Sequence, residues 1–214
     1  PGAAPRAARG AAREGAGMTL GEEYRGPAAV TVCYFLVYYG LMVLQLMARG
    51  DAAARAKAAG RSFDRFSTRD PGAIMGDRSF LNALEQMGPF LASLWVCAAC
   101  VSCELATWLG AGAVVARLLF PVMWGLGPNG AWSLLVELST QPYYFCVFGM
   151  FGVVLIWAVS GVNVAQELSA WAVAAILVAS YLALFGLSFG VGKALQCLTR
   201  GAYGAGDAQT DEEA

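Results

Sequence analysis

The sequence predicts an all-α integral membrane protein, and three observations predict it. Hydrophobic residues fill 58% of the 214 positions, above the roughly 45–50% of soluble domains. Charge is absent from five long runs: Gly26 to Ala48, Gln86 to Cys103, Leu118 to Val136, Leu138 to Gln166 and Leu168 to Gly192. A bilayer core takes about 20 apolar residues per helix, so each run is close to one crossing. No run alternates polar and apolar residues as barrel strands do, and lipid tolerates only helices or closed barrels.

The crossings are expected at 28–48, 79–101, 104–124, 133–160 and 168–195. Residues 1–27 form an extension of Ala, Gly, Pro and Arg. Up to Arg13 it is arginine-rich and free of acids, either like the remnant of an organelle-targeting leader or simply the start of a truncated chain. A basic loop, 49–77, follows the first crossing; Ala52–Ala59 is compatible with helix, and Phe63 and Phe66 suit the membrane interface. Gly125 to Gly130 is a plain turn. Thr140-Gln-Pro142 either kinks the fourth helix or restarts it, because proline fits a first turn but not an interior. An acidic tail, 199–214, closes the sequence.

Lysine and arginine set the orientation. Arg49, Arg55, Lys57, Arg61, Arg65, Arg69 and Arg78 follow the first crossing, and five crossings put Arg117, Lys193 and Arg200 on that same side. That side is expected to be cytoplasmic, or matrix or stromal in an organelle. A net charge of −1 gives no basis for nucleic-acid binding.

The second crossing carries the most informative residues. Arg78, Asn82, Glu85 and Pro89 are spaced four, three and four, so all project from one side of a helix. Ionisable groups inside a bilayer face a partner helix or a polar cavity. Arginine favours carboxylates in a forked geometry, and glutamate favours an ammonium. The same stripe also reads as a self-satisfying Arg–Asn–Glu network that locks helix packing.

The segment Arg78-x-x-x-Asn82-x-x-Glu85-x-x-x-Pro89-Phe, continuing to Trp95, resembles the second helix of MAPEG proteins, the membrane-associated proteins of eicosanoid and glutathione metabolism. Ser102-Cys-Glu104 and Ala116-Arg117-Leu-Leu-Phe120 extend the resemblance, which is close over 78–124 and loose over 28–160. It implies a four-helix bundle, here with a fifth transmembrane helix over 161–198. It also implies homotrimers that bind glutathione between subunits, with Arg78, Asn82, Glu85 and Arg117 as the glutathione contacts. A glutathione enzyme must lower the thiol pKa from about 8.5 with a nearby cation or donor. In the active proteins this chain resembles, tyrosine and arginine near the third-to-fourth helix junction do so. At those places this sequence has Phe120, Trp124 and then Gly125–Trp132 without a basic residue, and no histidine anywhere. No catalytic residue is therefore expected.

Other patterns weigh less. Cys97-Ala-Ala-Cys100-Val-Ser-Cys103 has metal-like gaps, but it sits in an apolar helix without a fourth ligand, so no metal site is expected. Gly186 and Gly190 form a small-xxx-small pair suited to docking the fifth helix on the bundle or on another subunit. Absence of histidine argues against haem and against dense chlorophyll binding. Oxygen groups of Asn82, Glu85, Glu104 or Gln141 suit an occasional chlorophyll magnesium, and bound lipid is a further expected companion.

Two functions follow as expectations. The first is a non-catalytic accessory subunit of an organelle membrane complex, a photosystem supercomplex or a respiratory one. Its expected partners are lipids and other membrane subunits; the thylakoid is slightly favoured over the mitochondrial inner membrane or the endoplasmic reticulum. The second is a glutathione-dependent transferase or peroxidase acting on lipophilic electrophiles as a homotrimer.

Overall fold

The computed structural model describes residues 21–66, 69–127 and 133–207. Most of the N-terminal extension, the end of the Gly125–Gly130 turn and the acidic tail from residue 208 lie outside the described residues. Among the described residues six helices follow in order: α1 Arg25–Ala58, α2 Pro71–Cys100, α3 Cys103–Gly125, α4 Leu134–Ser160, the single turn α5 Val164–Glu167, and α6 Ala170–Asp207. All but α5 are long and apolar enough to cross a membrane. The protein is an all-α integral membrane protein, a four-helix bundle with a fifth crossing.

Helix α1 runs ten residues beyond the expected 48, and α2 begins eight before the expected 79. Thirty-four residues span about 50 Å, well past a hydrocarbon core of about 30 Å. The basic ends of α1 and α2 therefore stand in the interface as a paired hairpin. Arg49 Nε lies 2.7 Å from Asp77 Oδ1, and Gln45 Nε2 donates to the same oxygen at 3.0 Å. Arg55 grips Asp70 through Nε and Nη2 at 2.9–3.1 Å. Asp70 also caps α2, accepting from the Gly72 and Ala73 amides, with Pro71 in the first turn where its missing N–H is harmless.

Burial alone pushes the Asp70 carboxyl up, but the Ala73 amide, the Arg55 guanidinium and the Gly72 amide outweigh it and hold it below the ordinary carboxylate value. A depressed folded value gives stability that is complete above the unfolded value of about 3.9 and is lost as pH falls through the folded one. Hydrogen-exchange protection of Gly72 and Ala73 is expected to follow that acid limb. Asp70→Ala is expected to remove the limb and to cost about 0.5–2 kcal/mol.

Helices α2 and α3 meet in a two-residue hairpin, Val101 and Ser102, where Ser102 Oγ accepts from the Leu105 amide at 3.2 Å. Helix α4 passes through Pro142 without a restart and ends at Gly161, whose φ of +74° suits glycine. Asn163 caps α5 and donates from Nδ2 to the Val101 carbonyl at 2.9 Å, tying that turn to the α2–α3 hairpin. The core joins all four bundle helices through Tyr34, Phe90, Leu94, Ala106, Ala113, Tyr143 and Met150.

Helix α6 docks on α4 through glycines of α4. A Cβ at Gly186 or Gly190 would meet nothing within 4 Å among the described residues, which leaves docking on another subunit as the expectation for that pair. The close approach is made by α4 glycines instead: a Cβ at Gly149 would meet Leu177 at 3.1 Å, and one at Gly152 would meet Ser180 at 2.1 Å. Helices in lipid associate by such backbone proximity. Gly152→Leu is expected to push α6 away at a cost of about 1–3 kcal/mol. The measurement is loss of hydrogen-exchange protection along residues 170–185, with the α2–α3 hairpin unchanged.

Candidate functional site

The polar stripe divides on folding. At 100° per residue, Asn82 stands about 40° from Arg78 and about 60° from Glu85 around the axis. That rotation carries Asn82 towards α3, while Arg78, Glu85 and Pro89 stay exposed. Among the described residues, no acid pairs with Arg78 and no base with Glu85.

Arg117 is the buried centre of the group, only 3% exposed. From the α2–α3 hairpin, Asn82 lies about 29 Å and Arg117 about 23 Å along antiparallel axes, and the guanidinium stem covers the difference. Arg117 Nη1 donates to Asn82 Oδ1. Its guanidinium carbon lies 3.9 Å from the centre of the Tyr143 ring and 5.9 Å from that of Phe120. A desolvated cation over an aromatic face gains about 2 kcal/mol or more. Arg117 Nε has no acceptor among the described residues.

A tyrosine–arginine pair therefore exists where the sequence led us to expect none, because α4 supplies a phenol two turns inside its start. Its chemistry is spent inward. Tyr143 is 2% exposed and donates its O–H to the Gln86 carbonyl at 3.0 Å. Tyr34, stacked 4.5 Å from Phe90, donates to the Ala83 carbonyl at 2.8 Å. Both phenols tie neighbouring helices to the stretch of α2 just before Pro89.

Of the residues the resemblance linked to glutathione, folding joins Asn82 to Arg117 and leaves Arg78 and Glu85 on the outer flank. Tyr34 and Tyr143 escaped sequence reasoning because an aromatic in an apolar run reads as packing. All six cysteines are free thiols.

A second feature lies beside this group. A cleft of about 600 Å³ runs between α2, α4 and α6. Gln86, Glu137, Thr140, Gln141 and Tyr144 line one part, and Phe148, Phe151, Phe185 and Phe189 another. Pro89 is on its wall.

A sequence model of the MAPEG family matches residues 27–156. The chain belongs to the MAPEG family. No curated protein and no solved structure matches it. The MAPEG portion contains α1 through most of α4, and with them Tyr34, Asn82, Arg117 and Tyr143. Helix α6 and its share of the cleft lie beyond the MAPEG match.

Proposed function

We propose that this MAPEG chain is a non-catalytic accessory subunit of a multi-subunit organelle membrane complex, photosynthetic or respiratory. The condition of Arg117 carries the reading. Thiolate activation needs a cation or donor aimed at the sulfur. Arg117 is instead enclosed by Asn82, Tyr143 and Phe120, and the two buried phenols donate to helix carbonyls. Glu85 adds support, since an exposed charge within the crossing is costly unless a polar counterpart faces it. The host membrane in this proposal is the thylakoid, slightly ahead of the mitochondrial inner membrane or endoplasmic reticulum.

A second reading is a glutathione-dependent transferase or peroxidase acting on lipophilic electrophiles. Family membership favours it, as does the outward position of Arg78 and Glu85, which a ligand between subunits reaches. Mild extraction of the native protein separates the two. The accessory reading expects a particle containing other membrane chains. A free homotrimer with saturable glutathione binding supports the second reading and removes the first.

A further inference from the structure

The tip of the α1–α2 hairpin holds a pocket that the polar stripe does not share. Gly60, at φ +66°, turns the chain back over the end of α1, and the Arg61 amide donates to the Ala56 carbonyl at 2.9 Å. The turn leaves an open pocket of about 490 Å³. Three chain segments each give its wall an arginine: Arg55 from the last turn of α1, Arg61 from the stretch after the turn, and Arg69 from the residues before α2. Ser62, Asp64 and Asp70 are the other polar members of the wall.

The two acids are engaged. Asp70 binds Arg55 through both oxygens and caps α2, and Asp64 accepts from the Phe66 amide at 2.9 Å. The three cations exceed the two acids, so the wall carries a surplus of positive charge. Asp70 grips Arg55 by Nε and Nη2, which fixes the guanidinium and leaves Nη1 without an acceptor among the described residues. Arg61 and Arg69 have no ion pair among them. Guanidinium forks match the oxygens of a phosphate, and here they come together from separate segments.

Depth narrows the choice of ligand. Arg55 lies seven residues, about 10 Å, past Ala48, where the apolar run ends. The headgroup layer is about 5–8 Å deep on each side of the hydrocarbon. The pocket therefore sits at the outer edge of the headgroups, where both a lipid phosphate and a dissolved one reach it.

We propose that this pocket binds a phosphate group, carried by an anionic phospholipid or by a soluble phosphate ester. Arg61 and Arg69 hold its oxygens, beside an Arg55 that Asp70 keeps in place. The site is complete within one chain and does not depend on the accessory role.

The test uses the purified full chain in phosphatidylcholine nanodiscs. Inorganic phosphate is titrated against chloride at constant ionic strength, and hydrogen exchange of residues 59–66 is followed. Expected is saturable protection by phosphate that chloride does not give. Arg61→Gln and Arg69→Gln are each expected to weaken it about tenfold at an unchanged melting temperature, the loss of one charge-assisted hydrogen bond. Arg65→Gln removes the same charge from the same loop, but Arg65 lies over the Phe66 ring at 4.8 Å and is not in the wall. It is expected to leave the affinity unchanged. A second set of nanodiscs contains phosphatidylglycerol. Protection already present there, with no further effect of added phosphate, assigns the site to the lipid; an equal phosphate titration in both sets assigns it to a soluble ester. Absence of protection by phosphate and by phosphatidylglycerol overturns the site. So does protection that Arg65→Gln weakens as much as Arg61→Gln, which is the signature of diffuse charge.

Discussion

Asn82→Leu is expected to destabilise the protein by about 3–5 kcal/mol, the cost of leaving a buried charge without its partner. Asn82 Oδ1 accepts from the guanidinium of Arg117, a residue 3% exposed whose Nε has no acceptor among the described residues. Among the described residues, removing the amide leaves the Tyr143 and Phe120 rings to face the cation. Adding Arg117→Met to Asn82→Leu replaces the pair with apolar side chains and is expected to recover most of the loss, because a buried ionic group is often matched by a well-packed hydrophobic one. Thermal melting of the four proteins in one detergent gives the coupling directly. A residue held for a soluble ligand gives a different pattern: Asn82→Leu then leaves melting unchanged and affects only ligand binding.

The other large effect concerns the outer flank of α2. Arg78 and Glu85 are exposed there, seven residues apart and on nearly the same line of the helix. Outward charge on a membrane helix is costly without a polar counterpart, and under the proposed accessory role a neighbouring chain supplies one to Glu85. Arg78→Leu with Glu85→Leu is expected to free the protein from its native complex without lowering its own melting temperature. Neither side chain has an ion-pair partner among the described residues. Co-purification in mild detergent before and after the double substitution measures this. Retention of every partner by the double variant contradicts a docking role for the flank.

Much of this architecture is legible in the residues alone. Apolar run length gives five crossings because the bilayer core imposes a length, and the stripe stands out because charge is costly in lipid. The start of α2 is less legible. Asp70-Pro71 is a sound start signal, yet Asp77 and Arg78 make the stretch resemble loop. The Asn82–Arg117 contact follows from depth arithmetic across the α2–α3 hairpin, but periodicity on one helix does not say which neighbour receives a side chain. Tyr143 is invisible as a cation partner, since its ring gives the same signal as any core aromatic. Gly186 and Gly190 display the familiar four-residue spacing, yet an added Cβ there meets open space among the described residues. Gly149 and Gly152, three apart, make the approach, to Leu177 and Ser180 of α6.

Conjugation of glutathione to a lipophilic electrophile, followed in the native assembly across neutral to alkaline pH, tests most directly whether Arg117 is locked away from chemistry. The account predicts the rate of the solution reaction at every pH, rising only with the free thiol's own ionisation near 8.5. A saturable, glutathione-dependent rate at neutral pH that Arg117→Met abolishes in a still-folded protein contradicts it.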